Sequence, residues 1–289
     1  MSKLSEKKII ELFQNRLGNA SFVPEDVESF KIGKEQLIVK IDTFVESTDL
    51  PPRMTLQDAA RKSIVSCVSD FAAKGVRPVF GIVSLTIPKK LSRSNIQSLA
   101  KGFQSAAKEF ELKILGGDTN EGKELVITFS LFGTTKKIVN RSGAKTDHVI
   151  ITSGSFGYTG AGLSILLKNK KHLSSSMDSS DGLSTTLNEM SIQSKKKFVI
   201  TSMPSDNDVL EFAELNKINP NDLILNGGEE YEIVATTSKS NLTKVKNNAI
   251  KHRIKLYEIG YVTKGRGVFY KKNRKLTRIK DGGWKHFQK

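Results

Sequence analysis

One cysteine, Cys67, occurs in 289 residues, a count that by itself excludes an internal disulfide framework and any cysteine-rich zinc site. Cys67 falls within an apolar helical pattern, where a thiol serves as a small packing group. Aromatic residues make up only 7% of the chain, and few of them interleave with its lysines, so no nucleic-acid-binding stripe is evident. No stretch approaches the ~20 consecutive apolar residues that a membrane span requires. The charged start Met1-Ser2-Lys3-Leu4-Ser5-Glu6-Lys7 lacks the apolar run of a secretory signal, and a cytoplasmic protein is expected. The four histidines, His148, His172, His252 and His286, have neither metal-ligand spacing nor a neighbouring nucleophile pattern, and none is assigned a catalytic role. A P-loop and the strict dinucleotide fingerprint are both missing.

Positive charge is plentiful: 46 Lys and Arg against 30 Asp and Glu give a formal net charge of +16. Such a field attracts nucleic acid, anionic membranes or phosphorylated metabolites. Clusters such as Lys195-Lys196-Lys197 and Lys271-Lys272-Asn273-Arg274-Lys275 mark no groove and read as solvated surface. Hydrophobic residues at 37% suffice for a sizeable core, and the length favours two domains, 1–137 and 138–289. The polar stretch from Thr134 to Asp147 is the expected junction.

Both halves mix helical and strand periodicity, which predicts an α/β or α+β class. In the first half, Ile9, Ile10, Phe13 and Leu17 suit an amphipathic helix, and the run Leu37 to Phe44 reads as a strand. Thr55 and Asp58 form a capping pair before a helix carrying Ile64, Val65, Val68, Phe71 and Ala72, which Gly75 stops. A strand from Val79 to Ile87, a helix from Ile96 to Phe110, a short strand ending in a glycine-acid turn, and a strand from Leu125 to Phe132 follow. The second half begins with a strand from His148 to Thr152, a glycine-rich loop from Gly154 to Gly162 and a helix near Leu163. Further elements are a helix from Gly182 to Met190, strands Phe198 to Ile200 and Tyr231 to Ala235, and a helix from Leu242 to Ile250.

Several acids stand beside glycine, serine or threonine at predicted element ends: Asp26, Asp42, Asp70, Asp118, Asp178 and Asp181. Magnesium takes oxygen ligands and is commonly held by one or two carboxylates, with nucleotide phosphates completing its shell, so isolated acids on tight turns suit it. Each also has an ordinary structural use. The Gly116-Gly117-Asp118-Thr119 segment is common turn chemistry, Asp178 and Asp181 suit capping of the following helix, and Asp70 on a polar helix side reads as a solvated acid. The glycine-rich loop serves equally as a phosphate cradle or a flexible turn. Arg141 offers a bidentate phosphate contact, and the lone Trp284 suits a packing anchor.

Taken in order, these segments resemble the thiamine-monophosphate kinases, within the superfamily of aminoimidazole ribonucleotide synthetase and selenophosphate synthetase. The residues concerned are Asp42-Thr43, Ser69 to Pro78, Gly116-Gly117-Asp118-Thr119, Arg141 to Lys145, Asp178-Ser179-Ser180-Asp181-Gly182-Leu183, Gly227 to Glu232, and Gly283-Trp284-Lys285-His286-Phe287. The resemblance implies an N-terminal domain whose mixed sheet dimerises into a barrel and a C-terminal α/β domain, with active sites near the dimer interface. It implies magnesium ligation by the six aspartates, ATP contacts from Gly117, Asp118, Arg141 and Ser180, and contact with thiamine monophosphate from Glu229 and Trp284. No general base is expected, because a phosphate monoester is already a nucleophile at neutral pH. Two departures stand out. Pro24-Glu25-Asp26 replaces the Gly-Asp-Asp of many members, and Asp49 stands where bacterial members have a substrate-contacting histidine, as in the archaeal branch. A carboxylate at Asp49 is suited to face the cationic thiazolium. Neither a specific nucleic acid nor a membrane is expected as a partner.

Overall fold

A computed structural model describes residues 5–19, 22–154, 169–251 and 254–284. The glycine-rich loop beyond Gly154, the helix expected near Leu163, His252 and the final Lys285-His286-Phe287 lie outside them. Among the described residues are twelve strands: β1 (Glu28–Ile32), β2 (Glu35–Val45), β3 (Phe80–Pro88), β4 (Lys113–Gly122), β5 (Val126–Thr135), β6 (Val149–Thr152), β7 (Leu173–Ser179), β8 (Lys197–Ile200), β9 (Glu232–Thr237), β10 (Tyr257–Thr263), β11 (Gly267–Lys272) and β12 (Lys275–Ile279). The helices are α1 (Glu6–Arg16), α2 (Glu46–Asp49), α3 (Leu56–Ala73), α4 (Arg93–Glu109), α5 (Leu183–Ser194), α6 (Asn207–Leu215), α7 (Pro220–Asn226) and α8 (Lys239–Lys251).

Two mixed sheets result, one from each half. The first has the order β1-β2-β5-β3-β4, and the second β12-β11-β8-β10-β6-β9-β7. In the first sheet only the β3–β4 pair is parallel. Period-two alternation along β5 sends Ile127, Phe129 and Leu131 into the core under α3 and α4, as a half-buried strand requires. The second core gathers around Leu183, Leu187 and Met190 of α5 and Phe198, Ile200, Val234 and Ile259 of the sheet.

Helix α3 belongs to both halves. Its start is the expected capping box: Thr55 Oγ1 accepts from Asp58 N at 3.1 Å, and Asp58 accepts from Thr55 N at 3.2 Å. Its end is Lys74, followed by Gly75 at φ 63, a left-handed value that glycine adopts without strain. Ile64, Cys67 and Phe71 face the first core, while Ala72 packs against Ile233 and Leu173 of the second sheet. Cys67 is the packing group expected, fully buried with Sγ 3.4 Å from Phe129 O.

Some local expectations are corrected. Gly116-Gly117-Asp118-Thr119 is not a turn, because the parallel ladder to β3 carries β4 straight through it with one irregularity near Gly116. Asp178 and Asp181 do not share a helical turn. Asp178 is held in β7 by pairing with Ile233, and Gly182 precedes α5 at φ 105. Tyr231 has φ 50 and stands before β9 instead of in it.

Where α3 crosses α4, a Cβ at Gly102 would overlap Gln57 O and come within 2.8 Å of Ala60 Cβ. Gly102→Ala is therefore expected to force the helices apart and cost about 1–3 kcal/mol. Urea unfolding checks it, and an unchanged midpoint would mean that the helices are not in contact there.

Candidate functional site

Three carboxylates meet where the two halves join. Asp26 precedes β1, Asp70 lies near the end of α3, and Asp178 lies in β7. All three are buried, and one oxygen of each lies within 4.8 Å of the others. Burial of Asp70 departs from the solvated acid expected, because the helix side that reads as polar turns toward the second sheet. Ser69 Oγ donates to Asp178 Oδ2 at 3.1 Å.

Three cations hold this group. Lys40 Nζ lies 2.8 Å from Asp70 Oδ2, and Lys74 Nζ lies 2.8 Å from Asp26 Oδ2. Arg141 Nε donates to Asp26 Oδ1 at 2.6 Å, with its Nη2 on the same oxygen. Glu25 joins from the other side. Its carboxylate accepts from Arg141 N at 3.1 and 3.2 Å and from Lys74 Nζ at 2.5 Å. Lys74, with no side-chain exposure, also reaches Ser176 O at 3.3 Å, and Ser176 Oγ donates to Ala73 O. The end of α3 is thereby stapled to β7. Four carboxylates thus face three cations.

The ionisation of each acid follows from its neighbours. Burial alone would raise Asp26, but the Lys74 ammonium and Arg141 guanidinium hold its carboxyl below the usual range. Asp70 is pushed well up, by burial first and then by the Asp178 charge, against the opposing Lys40. Asp178 is raised to about 6 by burial and by Asp26, despite Lys40, Arg141 and the Ser69 hydrogen bond. Burial tends to discharge Lys40, yet Asp70 and Asp42 outweigh it and keep it cationic. Oxygen donors that repel one another suit a hard divalent cation such as magnesium.

The other predicted residues surround this centre unequally. Asp42 is half-buried on β2, its Oδ1 accepting from Thr43 N at 2.8 Å, and its charge reaches both Lys40 and Tyr231. Asp181, Ser180, Glu229 and Trp284 are knitted together by the backbone. Glu229 N donates to Ser180 O at 2.6 Å, Tyr231 N to Ser179 O at 3.0 Å, and Trp284 N to Asp181 O at 2.9 Å. Trp284 is 61% exposed, so it is not the buried anchor that a lone tryptophan suggested. Asp49 turns back on its own chain, Oδ2 accepting from Val45 N at 2.7 Å.

Gly117 and Asp118 are not brought to the cluster within this chain. Both are exposed on the edge strand β4, where Asn120 Nδ2 donates to Asp118 Oδ2 at 2.7 Å. The row across the sheet runs Thr43, Thr128, Ser84, Asp118. Three strand spacings separate Asp118 from the Asp42-Thr43 position, roughly 14 Å.

Sequence reasoning missed Lys40, Lys74, Glu25 and Ser69. Two of them carried a signal: Lys40 interrupts an apolar strand two residues from Asp42, and Lys74 closes the apolar stretch Phe71-Ala72-Ala73.

Comparison with known proteins identifies the family and the fold. Residues 24–135 match the family described as AIR synthase related protein, N-terminal domain, and residues 156–272 match its C-terminal domain. The thiamine-monophosphate kinase of Nitrosopumilus maritimus (strain SCM1) is 50% identical, with 100% of each chain covered. That of Pyrococcus horikoshii is 29% identical over 100% of this chain and 98% of its own. Among solved structures, AaThiL complexed with AMPPCP and TMP superposes with a TM-score of 0.84 at 26% identity, covering 98% of this chain and 97% of that one. On this sequence, with an acid cluster gathered between its two domains, the chain belongs to the AIR synthase related proteins and, within them, to the thiamine-monophosphate kinases.

Proposed function

We propose that this chain transfers the terminal phosphoryl group of ATP to thiamine monophosphate, forming thiamine diphosphate in the cytoplasm by direct in-line displacement. The observation that carries this reading is the buried group of Asp26, Asp70 and Asp178, each from a different segment of the chain. Half identity over full length to a thiamine-monophosphate kinase agrees with it.

Two negatively charged reactants must be held against their repulsion, and the residues divide that work. Arg141 supplies a guanidinium fork for nucleotide phosphate, with Gly117, Asp118 and Ser180 as further nucleotide contacts. Glu229, Trp284 and Asp49 face the acceptor. The acids Asp26, Asp42, Asp70, Asp118, Asp178 and Asp181 hold magnesium. Bound there, magnesium supplies the charge neutralisation that phosphoryl transfer needs. No side chain has to remove a proton, since the second pKa of an acceptor phosphate is near ~6.

We further propose a homodimer. Among the described residues, β2 beyond Val39 has only β5 beside it, and β4 has only β3. Between these open edges, the sheet face turned away from α3 and α4 exposes Ile41 and Ile82. Uncapped edges invite strand pairing, and closure into a barrel removes them. A second copy of this chain closing both edges brings the partner's β4, with its Asp118, alongside the Asp42-Thr43 stretch of β2, which accounts for the distance of Asp118 from the cluster within one chain.

Three outcomes are expected. First, incubation with magnesium, ATP and a panel of acceptors, followed by phosphorus NMR, yields thiamine diphosphate from thiamine monophosphate, and no turnover of that acceptor would overturn the reading. Second, Asp118→Asn and Asp178→Asn are each inactive alone. Mixed and refolded together they recover about a quarter of wild-type activity, because random pairing makes half the dimers mixed and each mixed dimer holds one intact site. No recovery would mean that each chain uses its own Asp118. Third, the raised Asp178 carboxyl binds its proton more tightly when folded than when unfolded. The metal-free protein therefore loses stability as pH rises from about 4 to about 6. Asp178→Asn removes that cost, at most about 3 kcal/mol, and also abolishes the magnesium-induced rise in Tm at pH 8. A variant that is less stable at pH 8 without metal, and still gains from magnesium, would contradict this.

A further inference from the structure

Lys62 lies outside the carboxylate cluster, and no motif draws attention to it. A lysine near the start of α3 is expected to extend into water, yet its side chain is only 13% exposed. Its Nζ donates to Glu229 Oε1 at 2.5 Å and to Asp49 O at 2.9 Å, and it lies 5.6 Å from the centroid of the Phe44 ring. These partners come from the end of β2, from α2 and from the loop before β9. Lys62 therefore ties the first half of the chain to the second at a point separate from the Asp26, Asp70 and Asp178 group.

The loop it reaches is held in a defined shape. Glu229 has φ 63 and Tyr231 φ 50, left-handed values that cost a non-glycine residue on the order of 1 kcal/mol each and persist where surrounding contacts enforce them. Those contacts are the bonds from Glu229 N to Ser180 O and from Tyr231 N to Ser179 O. They fix the backbone, and Lys62 fixes the direction of the carboxylate. The Glu229 side chain is 53% exposed, so the pair adds little to stability. Its consequence is geometric: one oxygen is anchored while the carboxylate remains open to a ligand, opposite the α2 segment that bears Asp49.

We infer that Lys62 is a positioning residue for the acceptor, holding Glu229 and the Asp49 segment as two walls of one pocket shaped for a cationic heterocycle. This rests on the function proposed above. Among the described residues, the hydrogen bonds of Lys62 Nζ go to Glu229 and Asp49 and not to Arg141 or the acid cluster, so its removal weakens the acceptor side and spares the nucleotide side.

The test uses the full-length protein with Lys62→Met, Lys62→Gln and Lys62→Arg, each also made with Glu229→Gln. Steady-state kinetics give the KM for thiamine monophosphate and for ATP, and emission of the single tryptophan, Trp284, reports acceptor binding directly. Lys62→Met is expected to raise the acceptor KM about tenfold and to leave the ATP KM within about twofold, the split that separates positioning from general damage. Lys62→Arg restores most of the affinity, and with Glu229→Gln present the loss of Lys62 adds less than about twofold, because the two residues act as one unit. A parallel rise in both KM values, or a full tenfold effect with Glu229→Gln present, would overturn the inference. Lys62→Gln keeps the measurement decisive if Lys62→Met does not fold. A wild-type protein that neither binds nor phosphorylates thiamine monophosphate removes the functional reading together with this inference. One that does both, with variants failing the pattern above, removes this inference alone.

Discussion

Repulsion among Asp26, Asp70 and Asp178, forced together away from water, is the constraint around which the two halves are built. Bringing like charges within 4.8 Å in a buried setting is unfavourable unless cations or hydrogen bonds compensate. The compensation comes from residues placed for the purpose. Lys74 and Arg141 bracket Asp26, Lys40 reaches Asp70, and Ser69 supports Asp178. The apolar contact of Ala72 with Ile233 and the bond from Ser176 to Ala73 hold α3 against the second sheet, so the acids cannot drift apart. Burial and mutual repulsion still leave Asp70 and Asp178 reluctant to ionise, and this oxygen-rich group is the candidate site for a divalent cation.

The same arrangement explains a division of labour among the basic residues. Most of the +16 excess is spread over the surface, where it raises the local concentration of phosphorylated ligands without selecting among them. Lys40, Lys74 and Arg141 are different: they are drawn into the junction, and each is bound to a named acid. Lys62 is different again, since it joins Glu229 to Asp49 apart from the acid cluster. A few cations therefore act on particular acids at short range, while the bulk of the charge acts at long range.

Much of the fold was legible in the sequence, and the failures have physical causes. The box Thr55–Asp58, the apolar stripe of α3 and the alternation along β5 were readable because local chemistry and tertiary packing agree there. The strand character of Gly116 to Thr119 was not, because two glycines signal a turn and only the parallel ladder to β3 overrides them. Burial of Asp70 was hidden for a similar reason. A helix side bearing serines reads as solvent-facing until a second domain is laid against it. The acids were found as a set through their resemblance to a family pattern, whereas the cations between them, Lys40 and Lys74, look like interruptions of apolar segments until their partners are known. The remoteness of Asp118 could not be read from spacing, since it follows from strand order within the sheet.

The central claim is that folding makes Asp26, Asp70 and Asp178 into one cation site between the domains. Crystals grown with manganese and a non-hydrolysable ATP analogue, measured at the manganese absorption edge, test it most directly. The account predicts an anomalous peak within coordination distance of at least two of these three carboxylates, displacing the Lys40 or Arg141 contact. Manganese bound only elsewhere, with the three acids still paired to their lysines and arginine, would contradict it.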